Sequence, residues 1–372
     1  MHSPSILMMI IGFVLLLGPL VIVHELGHYL VARWCGVKAD VFSVGFGKEL
    51  IGHTDRRGTR WKLSALPLGG YVQFAGDMDP TSRPDDAKFA HLTPAERAQT
   101  FNAKPLWQRA AIVAAGPLTN LLAAILIFSA FNLAFGKVVA PPVVASFAET
   151  STARDAGVRI GDRIVGVGDH TIDQFPDIVG YVVPYPGATL NLTIERDGVR
   201  RVLPVRLEDK LLKDEFGNES RVGRLGISPG RGRIERVGPV EAVTLAGQQT
   251  WGIVRMLGVG LRQVVTGERS LAELGGPIKT AKYSGEQLSL GWLAFASFSA
   301  FISINLAFIN LLPIPALDGG HLALYAAEAI RRRPLDARSQ DWAFRTGLAL
   351  VLALMLFVTL NDLAALLPRS GT

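Results

Sequence analysis

At 372 residues the chain is long enough for two or three domains, yet 49% hydrophobic and only 19% charged residues describe a membrane protein rather than a soluble globule. The formal charge of +6 does not point to nucleic acid, because the basic residues gather beside apolar runs and form no stripe interleaved with aromatics. Cys35 is the single cysteine, which excludes a disulfide framework and a thiolate metal site, so any metal must be held by His, Asp or Glu.

The first apolar run, Ile6 to Val23, continues through "HELGHYLVA" and exceeds the roughly 20 residues needed to cross a bilayer. "MHSPS" lacks a basic n-region and no small-residue cleavage site follows, so residues 1–34 read as a retained helix. His24, Glu25 and His28 lie within it, where ionisable groups cost on the order of several kcal/mol unless compensated. They fit H-E-x-x-H. Residues four apart share a helix face, so both imidazoles can reach one ion, with Glu25 beside them as general base. One zinc ion suits two imidazoles and a carboxylate and keeps a coordination position for water, whose pKa it lowers to about 7.

Residues 35–105 form a connection rich in Lys and Arg, and Ala110–Phe135 is the second run, set within a helix at 106–136. "AAGPLTN" opens it. Gly116, Pro117 and Asn120 suit close helix packing around the site, or contact with the metal shell. Residues 137–235 then change period: "PPVVASFAETSTARDAGVRIGDRIVGVGDHTIDQF" reads strand, small helix, turn, strand. "ATLNLTIERDGVRRVLPVRL" is a strand pair joined at Asp197-Gly198, a strong hairpin signal. Within residues 236–290, Val240–Glu268 is apolar at helical spacing but interrupted by Gln248, Gln249, Arg255 and Arg262, which predicts an amphipathic helix on the outer membrane surface.

The third span falls in residues 291–330, running from Trp292 to Leu312 and past a proline pair. Pro313 and Pro315 break the helix and free backbone groups that protein or cavity water must satisfy. Asp318, the only acidic residue between Glu286 and Glu328, is the candidate third ligand; capping the next helix is its structural alternative. His321 is the rival ligand, read instead as a polar flank. His24 lies about 27 Å along the helix from Ile6, and Asp318 at most about 39 Å from Trp292, so both reach the same part of the bilayer. A basic loop, 331–341, leads to a fourth span in 342–372, with Gly347–Leu366 its apolar run. Lys/Arg placement puts the first connection and this loop on the cytoplasmic side and both termini outside.

Taken in order, "HELGH", "SVGFGKEL", "PLGGYV", "AAGPLTN", "AGVRIGDRIVGV", "LGGPI" and "NLLPIPALDGGH" resemble the site-2 protease family of intramembrane zinc metalloproteases, most closely its bacterial RseP type. The resemblance implies a zinc metalloendopeptidase with zinc on His24, His28 and Asp318, Glu25 as base, and Asn310 on the substrate backbone. It also implies a membrane-associated β-hairpin over residues 41–79. "ADVFSVGFG" and "RWKLSALPLGGYVQFAG" are indeed strand-like around a polar "GHTDRRGT". Gly45, Phe46 and Gly47, with the Pro313 and Pro315 break, would then border an unwound substrate held by strand addition. The expected architecture is a polytopic α-helical membrane protein of four transmembrane helices, with a cytoplasmic-side hairpin and one periplasmic PDZ-like α/β domain. Within that domain "RLGIS" is a candidate carboxylate-binding loop.

RseP proteins commonly carry two PDZ domains in tandem, whereas residues 137–235 have room for one. The family likeness further implies a bacterial inner membrane, and as substrates single-span membrane proteins such as anti-sigma factors and signal-peptide remnants. Cleavage would follow a prior trimming cut, with the outer segment as a gate. A divalent-metal transporter is the alternative from another class; it expects midplane ligands and repeated halves, and the sequence contains no internal repeat.

Overall fold

A computed structural model describes residues 4–75, 93–213, 219–268, 275–333 and 337–366. The chain divides into two compact units, one built on Phe128–Arg269 and the other on Pro4–Ile127 with Ser270–Thr372.

The second of these units is mainly helical. Helix α1 (Ile6–Trp34) starts at Ser5, whose side chain accepts from the Met8 N–H, and carries Pro19 internally. Where no water reaches the backbone, only a helix satisfies every N–H and C=O within one segment, and 29 residues at 1.5 Å each extend about 43 Å. Strands β1 (Ala39–Thr54) and β2 (Arg60–Phe74) follow as a long antiparallel hairpin, pairing Thr54 with Arg60 and Phe42 with Val72. Its turn is built by Asp55, whose carboxylate accepts from the Arg57 and Thr59 N–H groups and from the Trp61 indole. Slips in register around Gly45 and Gly47, both at positive φ, kink the hairpin along its length. Residues 76–79, the far end of the expected hairpin, lie outside the described residues. Helix α2 (Pro94–Arg97) is a single capped turn, and α3 (Leu106–Phe135) is the second long apolar helix. The hairpin root packs on α1 and α3 through Tyr29, Phe42, Val72, Phe74, Phe101 and Ile112.

Four more helices complete this unit: α7 (Pro277–Ser289), α8 (Trp292–Leu311), α9 (Asp318–Arg331) and α10 (Ala337–Leu366), with α4 to α6 belonging to the other unit described next. Helix α7 was not foreseen as a separate element. It lies along the N-terminal half of α1, where a Cβ at Gly12 would strike the backbone of Ser284 and Gly285, and one at Gly285 would strike Met9. Asp362 of α10, fully buried, accepts from the Gly276 and Lys279 N–H groups and so caps α7 from another helix. Helix α10 begins at Ala337, inside the stretch expected to be a loop.

Ile6–Trp34, Leu106–Phe135, Trp292–Leu311 and Trp342–Ala364 are each long and apolar enough to cross a membrane. Large apolar side chains face outward along them, Leu7 67%, Leu126 60% and Leu356 62% exposed, as lipid contact requires. The protein is a multi-pass membrane protein.

In the other unit, short strands β3 (Lys137–Val139) and β4 (Val144–Phe147) and the turn α4 (Thr152–Asp155) precede β5 (Arg163–Val167) and β6 (His170–Thr171). After α5 (Phe175–Val182) come β7 (Thr189–Arg196), β8 (Val199–Arg206), β9 (Glu208–Lys213), β10 (Glu219–Arg224), β11 (Ile227–Pro229) and β12 (Arg233–Glu235). One sheet runs β6-β5-β7-β8, and β4 pairs with β11, β3 with β12 and β9 with β10. Asp197 and Gly198, both at positive φ, make the tight β7–β8 turn their sequence predicts. Alternate residues Ile164, Leu192, Ile194 and Val205 meet Phe175, Ile178 and Val182 of α5 in the core. At its edge the Arg196 guanidinium holds both oxygens of Asp162 at 2.7 Å. Helix α6 (Pro239–Val265) docks on α5, with Arg255 over the Tyr181 ring at 3.9 Å and the Gln263 amide donating to the Pro184 carbonyl.

Candidate metal centre

Helical periodicity stacks His24 and His28 on one face of α1, and the break after α8 turns Asp318 toward them. The two Nε2 atoms are 3.2 Å apart, and Asp318 Oδ2 lies 3.2 Å from His24 Nε2 and 3.6 Å from His28 Nε2. These residues form the cluster of metal-ligating groups found among the described residues. Asp318 is the first residue of α9; Leu317 occupies its N-cap, so the carboxylate is free of the capping role.

The donor set fits a zinc ion. The His28 Nδ1–H donates to the Ile112 carbonyl at 2.9 Å, which leaves the Nε2 lone pair for ligation. Asp318 Oδ2 is buried and accepts no hydrogen bond. Two ring lone pairs and an anionic oxygen thus converge, an arrangement that repels itself unless a cation sits among them. Zinc–ligand bonds of about 2.0–2.2 Å set tetrahedral donor atoms roughly 3.3–3.6 Å apart, close to the three separations.

Small residues make room for the cluster. Gly116 of α3 lies against both imidazoles: a Cβ there would overlap the His28 ring at Nε2. Gly27 of α1 lies similarly against Ala115 and Thr119, and the Thr119 hydroxyl donates to the Val23 carbonyl at 3.0 Å. The fully buried Asn120 amide is 3.3 Å from His24 Nδ1, and its Oδ1 has no hydrogen-bond partner. With His24 ligating through Nε2 its Nδ1 carries the proton, and the amide orientation that sets Oδ1 on that proton makes the hydrogen bond. The Asn120 backbone carbonyl accepts from Ser303, tying α3 to α8.

The cluster opens into a cavity of about 440 Å³, whose wall also includes Glu25, Asn310, His321 and the hairpin residues Phe46, Gly69 and Tyr71. The Val72 N–H of β2 donates to the Glu25 carboxylate, and Gly70 lets the strand pass within reach of the Glu25 side chain. Of the residues singled out in the sequence, His24, Glu25, His28, Asp318, Asn310, Asn120 and Phe46 therefore share one space. Gly45 and Gly47 stand apart from its wall, where their positive φ shapes the hairpin. Pro313 and Pro315 line a separate shallow pocket against Trp342 and Gly347 of α10, and Pro117 sits within α3. Two contributors are not visible in residue type. The Ile112 carbonyl and Val72 N–H are backbone groups and leave no mark in residue type, whereas His321 was visible but read as a flank.

The sequence model of peptidase family M50 matches residues 12–354. A protein of Agrobacterium fabrum named as a candidate zinc metalloprotease is 45% identical over 362 residues, covering 96% of each chain. A similarly named protein of Rhizobium meliloti is 45% identical over 355 residues, covering 94% of this chain and 95% of its own. Metalloprotease MmpA of Caulobacter vibrioides is 37% identical over 384 residues, covering 96% of each. With that match across nearly its whole length, the chain belongs to peptidase family M50, the membrane-embedded zinc metalloproteases.

Proposed function

We propose that the protein is an intramembrane endopeptidase of the RseP type, in which His24, His28 and Asp318 hold one zinc ion and Glu25 is the general base. The observation that carries this reading is the convergence of three ligand atoms from α1 and α9, with Glu25 in the same cavity wall. When bound, zinc supplies Lewis acidity and lowers the pKa of water to about 7. Glu25, steadied by the Val72 N–H, takes a proton from the attacking water and returns it to the leaving nitrogen. A carbon–oxygen bond forms, the peptide carbon–nitrogen bond breaks, and no proton is left over.

A transmembrane helix buries its carbonyls in i to i−4 bonds, so the substrate must unwind before attack. The edge of β2 not paired to β1 runs past the cavity at Gly69 to Val72, and an extended segment added there would satisfy its backbone while exposing one peptide bond. We assign Asn310, in the same cavity wall, to that backbone. The substrates we propose are membrane-spanning segments of single-span proteins, anti-sigma factors and signal-peptide remnants among them, cut after an earlier trimming step. The β-rich unit is read as a PDZ-like domain on the periplasmic side of a bacterial inner membrane, and the centre as facing the cytoplasmic side.

The test is Glu25→Gln in the full-length protein. Zinc content should stay at one per chain while cleavage of a single-span substrate is lost. A variant that still cleaves, or that loses zinc and activity together, overturns the base assignment; metal flux that survives the substitution would favour the transporter instead.

A further inference from the structure

The cavity contains one imidazole more than the metal cluster uses. His321 lies one turn beyond Asp318 on the same face of α9 and lines the wall with His24, Glu25 and Asn310. Its ring is outside the ligand group and makes no hydrogen bond among the described residues; the nearby Tyr325 ring is 6.4 Å away and tilted.

Hydrolysis needs a donor for the carbonyl oxygen, which gains a full negative charge as water adds. Several other donors on this wall are committed. His28 Nδ1–H serves the Ile112 carbonyl and the Val72 N–H serves Glu25. Asn310 is reserved by the proposed function for the substrate backbone. His321 offers an N–H uncommitted among the described residues, one helical turn from a ligand.

On the reading of the centre given above, we infer that His321 is a catalytic residue that donates a hydrogen bond to the scissile carbonyl oxygen. As the water oxygen bonds to the carbonyl carbon, the carbonyl π pair moves onto that oxygen and the water proton goes to Glu25. When the carbon–nitrogen bond breaks, the pair returns and Glu25 protonates the nitrogen. His321 keeps its own proton throughout, stabilising the alkoxide without transferring charge.

The experiment compares His321→Leu and His321→Gln in the full-length, detergent-solubilised protein. Four quantities are read: zinc affinity, KM and kcat on a single-span model substrate, and affinity for a phosphinate peptide, a stable tetrahedral mimic. For His321→Leu we expect unchanged zinc affinity, KM within about twofold, and kcat lower by roughly 10²- to 10³-fold. Phosphinate binding should weaken by a similar factor, because the donor acts only on the tetrahedral form. His321→Gln, which keeps an N–H of similar reach, should recover part of both losses. The inference is overturned if kcat is unchanged, if zinc affinity falls in step with activity, or if phosphinate binding is untouched. Its failure is separable from that of the base assignment: Glu25→Gln would still abolish cleavage.

Discussion

Gly116 of α3 and His28 of α1 are so closely apposed that a methyl group on the glycine would occupy the position of the imidazole Nε2. The contact makes glycine a condition of the metal cluster rather than a convenience of helix packing. Gly116→Ala must either push α3 away or rotate His28 off its hydrogen bond to Ile112, and either disturbs the ligand set. Overpacking of this kind costs about 1–3 kcal/mol. Zinc affinity should fall by at least about tenfold, while Ala at Gly18, where a Cβ meets nothing within 4 Å, should leave it unchanged. Titration with a competing chelator measures both.

Asn120 holds His24 from behind. Outer partners of metal-bound histidines typically account for 10- to 100-fold in affinity, so Asn120→Ala should weaken zinc by about that factor. Asn120→Asp, which keeps an acceptor on His24 Nδ1, should retain most of the affinity. Should the alanine variant bind zinc as tightly as the parent, the amide is packing alone.

The legible parts of this molecule are those that depend on side-chain type at short spacing. His24 and His28 announce themselves by standing four apart in an apolar run with Glu25 between them, and Asp318 by being the one acidic residue of its own run. Asp197-Gly198 specifies its turn because few dipeptides tolerate two positive φ angles. Helix α7 is hard to read because "PIKTAKYSGEQLS" is short and mostly polar; it seats on α1 through Gly12 and Gly285, where the absence of a side chain is the signal. The reach of β2 to Glu25 was hidden because its donor is a backbone amide. The place of His321 in the cavity wall is not legible, because linear distance from the span's centre does not register the turn of α9 that brings it there, although its exclusion from the ligand set agrees with the cluster.

The cap that Asp362 places on α7 is testable in the same way. Gly276, the N-cap residue, has no side chain to offer, and a Cβ there would strike Asp362 Oδ2. Removing the carboxylate in Asp362→Ala strips the acceptor from two N–H groups, at a cost of about 1–2 kcal/mol for a lost cap. Amide exchange in the first turn of α7 should accelerate about 5- to 30-fold, with exchange in α3 unaffected. Equal protection in parent and variant would mean that packing on α1 alone orders α7.

Acid should act first on the β-rich unit, through Asp162. Burial works to raise its carboxyl, but the Arg196 guanidinium and the Arg159 N–H outweigh it and hold the group below the usual carboxylate range. A carboxylate whose folded pKa is depressed contributes stability that is present above its unfolded pKa near 3.9 and is lost as pH falls through the folded value. The β5–β7 sheet should therefore keep its protection at pH 5 and lose it progressively below about pH 4. Arg196→Ala leaves the charge buried and unpaired, which costs about 3–5 kcal/mol. It should raise the carboxyl instead, so that the sheet is weak already at neutral pH and gains rather than loses as the acid protonates. Exchange at Ile164 and Ile194, both fully buried, reads the difference: opposite pH slopes in parent and variant are expected, and parallel slopes would show that the pair carries no part of the acid response.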